Sequence, residues 1–243
     1  MKRFRSSIKA VLIVAMLAAG GLLLYGHARR HPEDVPWTAL DLSRPIGAFT
    51  GRKLADLADE GEICAALLER AGVRFTALPA RSAGPQCGYE HAVRFASGGS
   101  RRIAYRPADL GTNCAVAAAL ALWEWHVVQP AAQTHFGSPV TAIDHFGSYS
   151  CRRLYGREAG GWSEHASANA VDIVGFRLED GTRIVVARDW ESDGRRRAFL
   201  REVRDGACDL FATVLSPDYN EAHRDHFHLD QAERGAWGWR GCR

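Results

Sequence analysis

Two stretches of this 243-residue sequence gather side chains suited to binding a metal ion. The first runs from Ser163 to Asp172, with His165 seven positions ahead of Asp172. The second runs from His223 to Asp230 and holds three imidazoles, His223, His226 and His228. Together they account for four of the ten histidines in the chain. Neutral imidazoles and a carboxylate are donors that zinc favours. Three protein ligands leave a fourth position for water, which is the hydrolytic arrangement rather than the closed structural one. His165, Asp172 and one imidazole of the His226-Phe227-His228 pair are the candidate ligands. A strand alternates its side chains, so His226 and His228 would share a face, one to bind the ion and the other beside the water. Asp225 and Asp230 could orient the imidazoles from behind.

Those residues need rigid elements. Apolar residues recur at helical spacing over Leu54–Ala71 and Arg195–Phe211. Cys114–Val128 is the most helical stretch, rich in Ala and Leu, with Thr112 as N-cap and Pro130 as stop. Trp123 and Trp125 in it read as packing residues rather than a ligand platform. Val73–Phe75 is a short strand candidate. Val93–Phe95 and Ile103–Tyr105 are predicted to form a hairpin around Ser97-Gly98-Gly99. Val140–Ile143 is a further strand, leading into Gly147–Arg152. Val171–Leu178 and Thr182–Ala187 flank Asp180-Gly181, a strong hairpin signal. Thr213–Leu215 and Phe227–Leu229 complete the strands. Short strands mixed with helices, without regular βαβ alternation, imply an α+β domain with a small, mostly antiparallel sheet and helices packed against it.

The net charge of +3 is too mild to argue for a nucleic-acid partner, and fits an anionic polymer or a membrane surface nearby. Residues 1–9 carry a basic segment expected in the cytoplasm. Residues 10–26 are uncharged and long enough, at the short limit, for one transmembrane helix. The alternative is a signal peptide removed near Ala28, after the small-x-small sequence Gly26-His27-Ala28. Residues 27–47, with three prolines, read as a linker. Residues 48–243 form the exported domain. Six cysteines without a C-x-x-C pair suit a disulfide framework in an oxidising compartment. Nearness in sequence pairs Cys64 with Cys87, Cys114 with Cys151 and Cys208 with Cys242, out of about 15 connectivities.

The spacing Ser163-x-His165-x-x-Ala168-x-Ala170-x-Asp172, followed by His226-x-His228, resembles the zinc signature of the LAS metallopeptidases. That group includes D-alanyl-D-alanine carboxypeptidases, D-Ala-D-Ala dipeptidases and the penicillin-insensitive murein endopeptidase. The stretch from about Cys64 to Arg243 is similar to bacterial extensin-like C-terminal domain proteins. The resemblance implies an LAS/hedgehog-type fold and one zinc ion held by His165, Asp172 and His228. It implies His226 and His223 as the groups that work beside the activated water, with Asp225, where other members place a glutamate before the ligand histidine, as a lesser candidate base. Arg152, in a segment resembling the group's S-x-Y-R-S motif, is implied to grip a substrate carbonyl or carboxylate, a task suited to the guanidinium fork. The implied protein is a periplasmic zinc peptidase tethered to the bacterial inner membrane and cutting D-amino-acid amide bonds in peptidoglycan. The rival is a non-catalytic wall-binding module with a structural zinc. Two departures stand out. Ala168 replaces the signature glycine, so the loop after His165 is not expected to need a positive φ. Residues 64–113 also have no counterpart in the peptidases.

Overall fold

The computed structural model describes residues 2–235 and 239–243. Met1, at the head of the basic segment, and residues 236–238 of the C-terminal domain lie outside the described residues. The chain opens with helix α1, Lys2–Arg30, whose stretch Val11–Arg30 is long and apolar enough to cross a membrane. None of that stretch is buried against the rest of the protein.

Residues 27–47 do not form the expected linker. A 3-10 turn, Pro32–Asp34, follows α1, and Val35 and Leu42 are buried. Lys53 Nζ donates to Pro32 O and Thr38 Oγ1, both at 2.8 Å. Prolines marked a break in periodicity here, and the segment packs through isolated apolar residues that carry no period.

The first helical stretch is two helices, α2 Thr50–Ala55 and α3 Gly61–Arg70. Strands β1 Val73–Ala77, β2 Arg81–Ser82, β3 Gly88–Tyr89, β4 Ala92–Gly99, β5 Ala104–Arg106 and β6 Gly111–Asn113 follow. The predicted hairpin is corrected: β4 lies between β1 and β6 in a three-stranded sheet, whereas β5 joins the larger sheet. Phe75 faces Phe95 across β1 and β4, and Tyr105 pairs in parallel with Ile143. The apolar runs were strands, but their partners lay elsewhere in the chain.

Helix α4, Cys114–Trp123, is buried along its whole length. Its N-cap is Asn113, whose Oδ1 accepts Ala115 N–H at 2.9 Å, rather than Thr112. Pro130 does not stop it: a π-helical turn, Glu124–Val128, passes straight into α5, Gln129–Phe136, and the proline sits just past the junction, where the helix leaves its wider pairing. Trp123 is buried with Nε1 donating to Val203 O at 2.8 Å, and Trp125 lies at the edge of the core.

The remaining elements are β7 Val140–Gly147, β8 Ala170–Leu178, β9 Arg183–Val185, α6 Val186–Asp189, α7 Arg195–Ala207, β10 Thr213–Leu215, β11 Phe227–Asp230 and β12 Gly241–Cys242. Seven strands form the main sheet in the order β12-β10-β11-β8-β7-β5, with β9 also on β8. Only the β5–β7 and β10–β12 pairings are parallel. The predicted hairpin across Asp180-Gly181 is the β8–β9 pair. The core joins α4 and α7 to this sheet, with Phe176 against Trp123 and Phe199.

Three disulfides staple the domain, and two differ from the sequence pairing. Cys64 joins Cys114 and Cys87 joins Cys151, while Cys208 joins Cys242 as expected. Packing of α3 against α4 brings the first pair together across 50 residues. Sequence proximity says nothing about which helices meet.

Candidate metal centre

Strand β8 sits beside β11, in a register that puts Asp172 opposite His228. His165 arrives from a separate 3-10 turn, Glu164–Ser167. Ser163 caps that turn, its Oγ accepting His165 N–H at 3.3 Å. The turn ends on Ala168, which has φ 55° and ψ 21°. The expectation of an ordinary φ there is overturned. A left-handed alanine costs about 1–2 kcal/mol, and its surroundings hold it in place. The Ala168 carbonyl accepts from Thr112 Oγ1 at 3.1 Å, Asn113 N at 2.8 Å and Ser148 Oγ at 3.1 Å.

The imidazole tautomers follow from their partners. His165 Nδ1–H donates to Ser148 O at 2.5 Å, because a carbonyl only accepts. His228 Nε2–H donates to Asp230 Oδ2 at 3.0 Å. The two remaining nitrogens, His165 Nε2 and His228 Nδ1, then turn lone pairs toward each other at 3.1 Å. Asp172 Oδ1 lies 3.1 Å from the first and 3.0 Å from the second. Three acceptor atoms facing one another, all buried, need a positive charge among them. In the protein alone a second ring proton on His228 supplies that charge, and a metal ion would take that proton's place. Burial disfavours a charged imidazole at His228, yet Asp172 and Asp230 on its two nitrogens raise its pKa to about 9. Burial would raise Asp172, but the His165 and His228 imidazoles hold it well below the usual carboxylate range. Metal ligands arranged by hydrogen bonds from behind have this construction.

The other candidates surround this trio. His226 Nδ1–H donates to Asp225 Oδ1 at 2.8 Å, which leaves Nε2 free, 3.6 Å from Asp172 Oδ1. Asp225 thus orients His226. His223 lies beside both, its ring 5.2 Å from that of His226 and 5.9 Å from that of His228. Burial and the neighbouring imidazoles push the His223 pKa down to about 4, which keeps the ring neutral. Arg152 Nη2 reaches to 4.0 Å from Asp172 Oδ2 with much of its side chain exposed. Arg153 turns away, donating to Gly160 O and stacking on Trp162.

The sequence reading missed Asn220 and Glu164. Asn220 Oδ1 accepts His223 Nδ1–H at 2.7 Å, which leaves the lone pair of that ring on Nε2. Glu164 is half-buried beside His165, and burial raises its pKa. Its Oε2 accepts Asn169 Nδ2–H at 2.8 Å. Their only sequence signal is adjacency to the histidine stretches. A groove of about 900 Å³ runs past the trio, with Tyr155, Trp162 and Tyr219 among its walls. A smaller hollow of about 420 Å³ meets the same His165, Asp172, His226 and Arg152 from the side of Phe146 and Ser150.

Fold and site together define a disulfide-stapled α+β domain with a buried His–Asp–His cluster at the floor of an open groove. The family model for the extensin-like protein C-terminus matches residues 62–243, and the chain belongs to that family. No curated protein and no solved structure matches it.

Proposed function

We propose that the chain is a zinc-dependent peptidase of the LAS kind, held at the outer face of the bacterial inner membrane and acting on peptidoglycan stem peptides. The observation that carries it is the His165 Nε2, His228 Nδ1 and Asp172 Oδ1 triangle, with edges of 3.0–3.1 Å. Ligands at about 2.0–2.1 Å from a tetrahedral zinc are separated by about 3.3 Å, so the donor set fits in chemistry and in size. A bound zinc would supply a Lewis acid that polarises a substrate carbonyl and lowers the pKa of water.

The protein's own side chains support hydrolysis. His226 Nε2, free because Asp225 holds Nδ1, is the acceptor for the proton of the attacking water and later returns it to the leaving amine. His223, neutral and held by Asn220, presents a second nitrogen beside it for relay. Arg152, exposed at the lip of the site, is suited to hold a substrate carbonyl or carboxylate through its fork. A structural zinc would need neither free nitrogen, and this favours the enzyme over the wall-binding module.

Export is part of the reading. Three disulfides and an apolar N-terminal helix suit the periplasm. Digestion of cross-linked muropeptides by the zinc-loaded protein, with and without chelator, tests it. New products that vanish with chelator are expected. Retention on insoluble peptidoglycan with no product under any metal condition would favour the binding module instead.

A further inference from the structure

We propose that Trp37 docks the domain onto the lipid headgroups of the membrane that α1 crosses, an inference that rests on reading α1 as an uncleaved anchor. Trp37 is 81% exposed, although its neighbours in sequence are fixed to the domain. Val35 and Leu42 are buried on either side of it. Phe49 N–H donates to Glu33 O at 3.2 Å, and Ala48 N–H to Asp34 Oδ1 at 2.8 Å. Thr38 Oγ1 lies 2.5 Å from Pro32 O and 2.9 Å from Val35 O. The stretch from Pro32 to Thr38 is therefore a closed loop, with Trp37 beside its closing contact.

Pro32 is only two residues beyond Arg30, the last residue of α1. The closed loop cannot carry Trp37 far from that end. Headgroup layers are about 5–8 Å thick on each side of the hydrocarbon core. His27, Arg29 and Arg30 occupy the last turn of α1, where cationic side chains reach lipid phosphates. An indole, with an apolar ring and one N–H donor, is suited to that same layer. An exposed indole beside a basic helix end, on a segment bonded to the domain, makes a contact surface for lipid. Folding of the domain would gain nothing from leaving that ring in water.

The test uses the full chain, zinc-loaded, in phosphatidylcholine–phosphatidylglycerol vesicles whose acyl chains are brominated close to the glycerol. Tryptophan fluorescence is compared for wild type, W37F and, as a second exposed indole, W239F. Wild type is expected to be quenched, W37F to lose the larger part of the quenched signal, and W239F to keep it. A chain that floats with the vesicles but is quenched equally in wild type and W37F overturns the docking and leaves the anchor standing. A blue-shifted Trp37 emission insensitive to bromine would instead mean cover by protein, and also overturns it. A chain that fails to float, or that begins at Arg29, removes the anchor and the docking together.

Discussion

Every residue of α4, from Cys114 to Trp123, lies at 1% exposure or less, while His165, Asp172 and His228 lie between 3 and 9%. Burial is nearly equal in the two regions, and the reasons differ. Helix α4 has only its backbone, one indole N–H and the capped N-terminus to satisfy, so apolar contact holds it. The His–Asp–His cluster buries two imidazoles and a carboxylate that need partners on every polar atom. Ser148 and Asp230 supply such partners to the two imidazoles from outside the cluster. A helix of the first kind tolerates a change by losing stability. A cluster of the second kind is expected to lose a bound ion before it loses its fold.

The sharpest test of that distinction is His228→Ala. About one zinc per chain is expected in wild type and close to none in the variant, with the thermal transition still cooperative. Metal analysis of matched, folded samples decides it. Full zinc occupancy in the variant would break the comparison. Leu120→Ala in α4 should behave in the opposite way. It should cost about 2–5 kcal/mol in denaturant unfolding, and the folded fraction should keep its zinc.

Acid should also act at a carboxylate outside both regions. Burial would raise the pKa of Asp189, but Arg188 and the Val185 N–H outweigh it and hold the carboxylate below its ordinary value. A lowered folded-state pKa gives stability that is complete above the unfolded value and is lost as pH falls through the folded one. The window therefore lies below about pH 4. Asp189→Asn should flatten the loss of stability with pH in that window, as read by unfolding titrations at successive pH values. The smallest effect is expected for Ala168→Gly. Relief of the left-handed backbone and the greater freedom of the unfolded chain nearly cancel, leaving a change within about 1 kcal/mol. A large loss of zinc in that variant would show that the alanine methyl positions the His165 turn.

What could be read from sequence follows the same division. The Ala- and Leu-rich run of α4 announces a buried helix because its signal is local. The histidine spacing led to the cluster because Asp172 lies on one strand and His228 on its neighbour, each within a short motif. The β4 and β5 runs were legible as strands, yet their pairing with β1, β6 and β7 depends on contacts far along the chain. The Cys64–Cys114 and Cys87–Cys151 bridges failed for the same reason. Val35 and Leu42 were invisible because two buried residues in an irregular segment make no period. Ala168 is the instructive error. A backbone that glycine would take freely is imposed on alanine by three donors to one carbonyl, and no residue type reveals that.

That carbonyl also sets how the protein can be cut. Thr112 and Asn113 belong to β6, and Asn113 additionally starts α4. The turn bearing His165 is thus tied to the three-stranded sheet that precedes it by some fifty residues in sequence. A fragment starting at β7 would contain every proposed ligand and keep Ser148, but it would lose two of the three donors that hold the Ala168 carbonyl. The segment that ends in β6 is, in mechanical terms, the brace of the site. Minimal versions of the domain must begin upstream of it.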